Sequence, residues 1–360
     1  MPKVISFQQA ILDSAHYGKR HLMLGNGFSI ACKPDIFHYG SLFEAADFSA
    51  IPEVKTAFTV LNTQDFEVVI RSLDDGAKLL PIYAAESADS TRLMQKHAES
   101  LKEILISTIA DNHPAGPHEI DESKIWACRE FLSHFLNPDD KRCGYVFTLN
   151  YDLLLYWVLM NEGNEFDENR VRLKRNDGFG NDEDDPFTEY VVWQGETAAH
   201  SANVHYLHGA LHLFDSGSEL LKYTWVRSGE RLVDQTRNAL GDNKFPLFVS
   251  EGDSVKKKNR IRHNAYLYQG YKVLTANVQT ASHCFFIFGH SLAKNDDHIL
   301  MRLARGKFKK LYVGLHGDPD SEWNQGIASR ARYLAAQRQR KYPLDVVFFD
   351  SASANVWGGE

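Results

Sequence analysis

One stretch of the chain changes abruptly from apolar to polar and back to apolar. Residues 145–147 form a short apolar run bounded upstream by Asp139 and Gly144, which is the pattern of a buried β-strand. The polar cluster Thr148-Leu-Asn-Tyr-Asp152 follows, and residues 153–160 then form a helical-looking apolar run. Because open α/β sheets bind ligands beyond the carboxyl ends of their strands, this pattern predicts a ligand site at the strand-to-helix junction.

Strand-like apolar runs alternate with helical segments along much of the chain. Such runs occupy residues 21–24, 189–193, 203–207, 245–250, 284–288, 310–314 and 344–349. Helices are predicted at residues 4–18, from 256 to about 282, after 296 and up to 337. Strand after helix after strand predicts an α/β fold with a doubly wound, mostly parallel, Rossmann-like sheet.

A long helical segment interrupts this alternation. Residues 65–73, 92–109 and 122–136 carry apolar positions at helical spacing, and Ser41 with Glu44 forms a capping-box pattern. We therefore predict a helical insertion over residues 41–142, after the first strand of the sheet. It is expected to belong to a single domain that covers residues 1–360.

Two loops carry side chains of the kinds that bind metal ions. His113 and His118 lie in a Pro/Gly-rich loop, where no nearby residues complete a ligand set, so both are expected to be solvated. The segment Asn181-Asp-Glu-Asp-Asp185 could bind a hard cation. A solvated acidic loop is favoured there, since the spacing of an EF-hand is absent.

Composition and charge exclude several classes of protein. The formal charge of −7 gives no overall attraction to nucleic acid or to an anionic membrane. The basic cluster at residues 256–262 could meet phosphates, although a solvated helix start is the commoner explanation. No apolar run approaches the roughly 18 residues that span a bilayer, and the N-terminus lacks a signal-peptide core, which predicts a cytoplasmic protein. The four cysteines form no CxxC pair and are expected to be buried hydrophobes: Cys32, Cys128, Cys143 and Cys284.

A glycine-rich turn follows the predicted strand at residues 21–24. Gly25 and Gly27 would let the backbone turn sharply and approach a phosphate, with the N–H groups of the following helix facing the anion. Ile30 stands where the third glycine of GxGxxG would be, so the dinucleotide fingerprint is incomplete. A plain strand-to-helix turn remains the alternative.

Polar residues after two other strands are candidates for chemistry. Asn150 brings a donor and an acceptor, and Asp152 can cap the next helix or accept from a sugar hydroxyl, although both could simply shape a turn. His208 is followed by Gly209 at a strand end, and a histidine is readily tuned to accept a proton at neutral pH. With His205 and His212 it could suggest zinc, but the spacing and the absence of a thiolate favour an acid/base or substrate-contact role.

Four of these motifs, in this order, resemble those of the sirtuin-like family. They are Gly25-Asn-Gly-Phe-Ser29, Thr148-Leu-Asn-Tyr-Asp152, His208-Gly209, and Gly289-His-Ser291 with Asp296 beyond it. In that family a GxGxS loop, a T-x-N-[YI]-D motif, an H-G pair and a G-x-S loop line one NAD pocket. The resemblance spans residues 20–350 and looks closest to bacterial sirtuin-like proteins that hydrolyse NAD in antiphage defence.

The resemblance implies a role for each matching residue. Asn150 would place the attacking water beside the nicotinamide ribose, and His208 would act as general base or ribose contact. The residues implied to bind NAD are Gly25, Asn26, Gly27, Ser29, Thr148, Asp152, Gly289, Ser291 and Asp296. No metal is implied. The cysteines cannot form the four-cysteine zinc module of protein-deacylating sirtuins, which disfavours deacylation.

The resemblance thus implies an NAD+ hydrolase that releases nicotinamide and ADP-ribose, acting as an effector in antiphage defence. The alternatives are a sirtuin-like NAD or ADP-ribose sensor without turnover, a subunit of a defence complex and, less favoured, an NAD-dependent deacylase. The family resemblance also allows a homo-oligomer or a defence partner such as an ATPase.

Overall fold

The computed structural model describes twelve strands and thirteen α-helices. It describes residues 3–37, 42–84, 86–161, 171–183, 188, 190–196, 201–224, 229–249 and 254–358. The strands are β1 (Val4–Ser6), β2 (Lys19–Leu24), β3 (Cys143–Thr148), β4 (Phe179–Gly180), β5 (Tyr190–Trp193), β6 (Val204–Tyr206), β7 (Gly209–Asp215), β8 (Leu220–Tyr223), β9 (Phe245–Phe248), β10 (His283–Phe288), β11 (Lys310–Leu315) and β12 (Asp345–Asp350). The helices are α1 (Phe7–Asp13), α2 (Gly27–Cys32), α3 (Leu42–Ala45), α4 (Pro52–Val60), α5 (Phe66–Tyr83), α6 (Ala88–Asp111), α7 (Glu122–Leu136), α8 (Leu154–Met160), α9 (Leu232–Gly241), α10 (Ser254–His263), α11 (Ala265–Val278), α12 (Asp297–Ala304) and α13 (Glu322–Ala336).

Seven strands form one parallel sheet in the order β6-β3-β2-β10-β11-β12-β1. From β2 the chain proceeds to β3 and β6 on one side, then crosses back to β10, β11 and β12 on the other. If the edge strand β1 is left out and the other six strands are counted along the chain from β2, their order in the sheet is 3-2-1-4-5-6, which is the order of a Rossmann fold. The predicted α/β, doubly wound, parallel sheet is confirmed, and its switch point lies between β2 and β10.

The N-terminal residues differ from the predicted helix at 4–18. Val4–Ser6 is an edge strand that pairs in parallel with β12, and the helix begins only at Phe7. Ser6 ends the strand by capping the helix, because its Oγ accepts from the N–H of Gln9 and the Gln9 side chain accepts from the N–H of Ser6. The helical insertion therefore follows the second strand of the chain rather than the first.

A second sheet of five antiparallel strands was not predicted. Its order is β4-β5-β8-β7-β9. The segments predicted at 189–193 and 245–250 belong to this sheet, not to the parallel one. The hairpin of β7 and β8 was missed because His212 interrupts the apolar run of β7, although its residues up to Phe214 are buried. β7 of the second sheet begins at Gly209, shortly after β6 of the parallel sheet ends at Tyr206, so His208 lies at the junction of the two sheets.

The predicted insertion is helical, with α3 to α7 lying between β2 and β3. Phenylalanine rings hold its first helices together, with Phe58 4.9 Å from Phe43 and 5.4 Å from Phe66 between ring centroids. Ser41 of the predicted capping box lies outside the described residues. No helix in the described part of the chain is both long enough and apolar enough to cross a bilayer.

All four cysteines are buried and unpaired, as the sequence predicts. Burial raises the pKa of the Cys32 thiol to about 12 and that of the Cys284 thiol to about 12. A thiol with so high a pKa carries little thiolate at neutral pH, and thiolate is the nucleophilic form. Neither cysteine is therefore a candidate nucleophile.

Candidate functional site

A cavity of about 910 Å³ opens at the carboxyl edge of the parallel sheet. The segments that follow β2, β3, β6, β10, β11 and β12 all contribute to its wall. They contribute Gly25, Asn26, Gly27, Leu149, Asn150, Asp152, His208, Gly289, His290, Ser291, Asp296, Gly314, His316, Ser351 and Ala352 among others. The structure thus brings together motifs that are up to about 270 residues apart, at the switch point where such sheets bind ligands.

The glycine turn after β2 packs against the turn after β10. The Gly25 N–H donates to Phe288 O, and the Gly27 N–H donates to Gly289 O at 2.7 Å. The next two amides also form hydrogen bonds within the turn, since the Phe28 N–H donates to Gly25 O and the Ser29 N–H donates to Asn26 O. The prediction that these N–H groups face a phosphate is therefore wrong for Gly27 and for the two residues after it. The glycines are required because two backbones approach closely, and both still line the cavity.

We predict that Gly27→Ala lowers the stability of the protein. The substitution adds one methyl group and no polar or charged group, so the effect should come from steric conflict alone. A Cβ at Gly27 would lie 2.6 Å from the Gly289 Cα, a backbone atom that cannot move aside cheaply. Gly326→Ala is the matched control, since a Cβ there meets nothing within 4 Å and the residue is inside helix α13. Thermal unfolding should show a lower midpoint for Gly27→Ala and a gain of about 0.5–1 kcal/mol for Gly326→Ala. Equal midpoints for the two variants would contradict this packing.

The loop after β10 has an unusual backbone. Gly289 has φ +70°, and Leu292, which is buried, has φ +57°. A left-handed leucine costs of order 1–3 kcal/mol and persists only where its surroundings hold it. Here the Leu292 N–H donates to His290 Nδ1 at 2.8 Å, and Arg330 Nε donates to Leu292 O. The strained loop places Ser291 on the cavity wall, as predicted.

Asn150 is held in one orientation by two hydrogen bonds. Its Nδ2 donates to Gly25 O at 3.1 Å and to Ser29 Oγ at 2.9 Å, and its backbone N–H donates to Thr148 Oγ1. These contacts decide which end of the amide is the donor. They leave Oδ1 as an acceptor that receives no hydrogen bond from the described residues. The side chain is 8% exposed and lines the cavity, so Oδ1 can accept from a water or a hydroxyl there.

Three of the residues implied to bind NAD form hydrogen bonds with Asn150 or with its partners: Ser29, Thr148 and Asp152. Ser29 is fully buried and Thr148 nearly so, and neither lines the cavity. Ser29 Oγ donates to Asp152 Oδ2 at 2.5 Å while accepting from Asn150, and Asp152 Oδ1 accepts from the Leu154 N–H. The hydrogen bond from Leu154 corresponds to the predicted contact of Asp152 with the next helix, and Asp152 also lines the cavity, where the contact with a sugar hydroxyl stays a prediction. Burial raises the pKa of Asp152, and its hydrogen bonds act in the opposite direction.

His113 is buried, which corrects the prediction that it is solvated. Its Nδ1–H donates to Pro114 O at 2.8 Å, and its Nε2 accepts from the Leu153 N–H at 2.9 Å, so the neutral tautomer is fixed. It also lies on the cavity wall and supports the first turn before α8. His118 is exposed, as predicted.

We predict that stability falls as the pH falls from about 6.5 to about 4. Burial lowers the pKa of His113 to about 4 and that of His205 to about 4, whereas an unfolded histidine titrates near 6.5. Within this window the unfolded chain binds more protons than the folded protein. Each histidine should therefore lower the free energy of unfolding by about 3 kcal/mol once the pH is below both its folded and its unfolded pKa. Urea unfolding at a series of pH values tests this. A free energy of unfolding that stays constant between about pH 7 and about pH 4 would contradict it.

His208 belongs to a compact polar cluster. Its Nε2 lies 2.9 Å from His298 Nε2 and 4.0 Å from Asp296 Oδ1. Asp296 Oδ1 also contacts Lys257 Nζ at 3.0 Å, and Asp296 Oδ2 contacts His290 Nε2 at 3.1 Å. Burial lowers the pKa of His208 well below its usual value, with Asp296 acting in the opposite direction. His208 is therefore neutral at pH 7 and able to accept a proton.

The other two histidines of this region lie elsewhere. His205 on β6 stacks on Phe147 at 5.4 Å, and His212 on β7 stacks on Tyr156 at 4.6 Å between ring centroids. Neither lines the cavity. The structure therefore separates the three histidines that the sequence places within eight residues, and it keeps only His208 at the site.

One charged cavity residue, Lys257, could not be identified from the sequence. Lys257 is 4% exposed and contacts Asp296, so the basic cluster at 256–262 is more than a solvated helix start. Arg260 of the same helix forms an ion pair with Asp65 of the insertion. Part of the acidic segment 181–185 lies outside the described residues, and its described residues do not line the cavity.

The far side of the cavity is formed by the C-terminal segment and the start of α13. His316, Trp323 and Asn324 line it together with residues 355–358. Trp357 anchors this segment, since its Nε1 donates to Phe28 O at 2.7 Å and its ring lies 5.0 Å from that of Phe28. The aromatic residues Trp323 and Trp357 add flat surface to a cavity that is lined mostly by apolar side chains with a smaller number of polar groups.

Comparison with known families gives one finding. No curated protein sequence matches the chain. Residues 22–357 match the model of a family described as "Domain of unknown function (DUF4917)". The match runs from β2 to the C-terminal segment and so includes every strand end that borders the cavity. The chain therefore belongs to the DUF4917 family.

Proposed function

We propose that this protein hydrolyses NAD+ at the bond between nicotinamide and ribose. The observation that carries the proposal is that Asn150 and His208 share the wall of one cavity at the switch point of the sheet. Crevices at this point bind dinucleotides in folds with this strand order. The volume of about 910 Å³ is near the upper end for small-ligand sites, which suits a dinucleotide better than a mononucleotide.

Asn150 is suited to place the attacking water. Because Nδ2 is committed to Gly25 O and Ser29 Oγ, only Oδ1 remains to accept a hydrogen bond from that water. Cleavage of an N-glycosidic bond builds oxocarbenium-like charge on the ribose, as in glycoside hydrolysis. A water held against the anomeric carbon replaces a bimolecular encounter by proximity.

His208 is suited to accept the proton of that water. The C–N bond breaks with its electron pair going to nicotinamide, which leaves as a neutral base. The water oxygen bonds to the ribose carbon and gives its proton to His208, so that ADP-ribose forms and atoms and charge balance. His298 Nε2 at 2.9 Å is placed to orient the His208 ring.

The family resemblance supports the same ligand. The four motifs that resemble those of sirtuin-like proteins all reach the cavity, through Gly25 and Gly27, Asn150, His208, and Gly289 with Ser291. Deacylation has less support, because each cysteine is buried separately and none belongs to a potential metal-ligand group among the described residues. A role in antiphage defence, with a homo-oligomer or a partner such as an ATPase, has the resemblance alone as its support.

Product analysis tests the activity. Purified protein is incubated with NAD+, with and without an acetyl-lysine peptide, and the products are separated by chromatography. We expect nicotinamide and ADP-ribose in equal amounts, independent of the peptide. Release that requires the peptide and yields an acetylated ADP-ribose would indicate a deacylase. Binding of NAD+ by calorimetry without any release would instead indicate a sensor.

A further inference from the structure

A group of three possible metal ligands lies beside the cavity, and only one of them exchanges a proton in the proposed reaction. They are His208 Nε2, His298 Nε2 and an oxygen of Asp296, and these atoms all lie within 4.8 Å of one another. Two imidazoles with one carboxylate are a common ligand set for divalent transition metals. We propose that His208, Asp296 and His298 form a binding site for a divalent transition metal ion such as Zn²⁺. We further propose, on the basis of the proposed function, that the bound ion inhibits NAD+ cleavage.

The ligand atoms need to move little to surround an ion. In a tetrahedral zinc site the bonds are about 2.0–2.2 Å, so neighbouring ligand atoms lie about 3.3 Å apart. The two Nε2 atoms are 2.9 Å apart, and His208 Nε2 is 4.0 Å from Asp296 Oδ1. The first of these pairs must open and the second must close, each by less than 1 Å. The third pair, His298 Nε2 and the Asp296 oxygen, lies within 4.8 Å and must close by at most about 1.5 Å. The three ligands leave a fourth position for water, which is the pattern of an accessible site.

Metal binding requires imidazole nitrogens with a lone pair. The Nε2 atoms of His208 and His298 lie 2.9 Å apart in a hydrogen bond, so one of them carries a proton and the other accepts it through its lone pair. One ring shifts its remaining proton from Nε2 to Nδ1 when the ion replaces the hydrogen bond between them.

A second set of contacts holds the carboxylate. The Leu292 N–H donates to His290 Nδ1, so the His290 proton is on Nε2 and is donated to Asp296 Oδ2. Outer contacts of this kind orient metal-binding carboxylates in known sites. Asp296 Oδ1 remains on the side of His208, where Lys257 Nζ also contacts it. His208, Lys257 and Asp296 line the cavity, which gives an ion a path from solvent.

Lys257 gives the proposal a directional test. Its ammonium group contacts the same carboxylate oxygen that would bind the ion, so its charge opposes a divalent cation. Removing that charge in Lys257→Met should therefore tighten metal binding. A site that depended only on adventitious surface groups would not respond in this direction.

The consequence for the reaction follows from the shared histidine. With a metal ion on His208 Nε2 and the ring proton on Nδ1, neither nitrogen of this imidazole can accept the proton of the attacking water. Zn²⁺ should therefore abolish nicotinamide release when it occupies this site, and a chelator that removes the ion should restore the release.

Cobalt provides a probe that does not depend on activity. Chelator-treated protein is titrated with Co²⁺ and followed by visible absorption, and with Zn²⁺ by calorimetry. The variants are His298→Ala, Asp296→Asn, Lys257→Met and the control His263→Ala, which removes an exposed histidine at the end of α10. Asp296→Asn keeps the shape of the side chain if His298→Ala does not fold.

We expect one ion per chain in the wild type and in His263→Ala, at least 10-fold weaker binding in His298→Ala or Asp296→Asn, and tighter binding in Lys257→Met. Absence of binding in the wild type, or equal affinity in Asp296→Asn, would overturn the site. A wild type that binds one Zn²⁺ but never cleaves NAD+ would overturn the proposed function and leave the metal site standing. Undiminished cleavage at saturating Zn²⁺ would overturn the inhibition alone.

Discussion

Asn150→Ala is expected to bind NAD+ and to release nicotinamide at least about 10²-fold more slowly than the wild type. The substitution removes Oδ1, the acceptor that would hold the attacking water, together with the two donor contacts that orient the amide. Because that water matters in the transition state and little in the ground state, kcat should fall while KM stays near its original value. Initial rates of nicotinamide release over a range of NAD+ concentrations measure both parameters.

Asn277→Ala is the matched control for this variant. Asn277 lies on α11, where its Nδ2 donates to Val273 O, and it does not line the cavity. Its replacement should leave both kinetic parameters unchanged. An Asn150→Ala protein that folds and cleaves NAD+ at the wild-type rate would remove the proposed role of the amide.

His208→Ala is expected to lower hydrolysis by roughly 10²–10⁴-fold, the usual contribution of a positioned acid/base group. Since burial lowers the pKa of His208 well below its ordinary value, the imidazole stays neutral as the pH falls past 6.5, the ordinary histidine value. Wild-type kcat should therefore persist below that pH and decline only at more acidic values, where the protein also loses stability. If kcat instead fell with a midpoint at about pH 6.5, this would show that bound substrate restores the ordinary pKa of His208.

His205→Ala and His212→Ala are the controls for the catalytic histidine. Both residues are buried, His205 on β6 of the parallel sheet and His212 on β7 of the antiparallel sheet, but neither lines the cavity. Their loss should lower the unfolding midpoint without selectively lowering turnover per folded molecule. A His208→Ala protein with this same behaviour would show that His208 is a core histidine rather than a base.

The strands of the parallel sheet could be predicted because they are buried on both faces. β2, β3 and β10 each have at most one described residue in six that is not fully buried, and such strands appear as continuous apolar runs. β1 was missed because its three residues are too few to show a period before the helix begins. The antiparallel sheet was missed because β4 has only two residues and the hairpin of β7 and β8 was not recognised. The predicted strands at 189–193 and 245–250 were therefore assigned to the parallel sheet.

The candidate site could be predicted only where polar residues directly follow a strand. Asn150, His208 and Ser291 have this position, so their place on the cavity wall was expected. His113 contacts a residue 40 positions away and His298 one 90 positions away, and no local pattern signals such contacts. The burial of Ser29 was also hidden, since its position in a GxGxS turn does not reveal that its hydroxyl is used by Asp152.

The most direct measurement is a paired time course of nicotinamide release from NAD+ by the wild type and by Asn150→Ala at equal protein concentration. Calorimetry on the same preparations shows that each binds the ligand. The account predicts linear release of nicotinamide by the wild type, matched by ADP-ribose, and almost none by Asn150→Ala at similar affinity for NAD+. Equal release by both proteins, or none by a wild type that binds NAD+, would contradict hydrolysis by the Asn150 and His208 cavity.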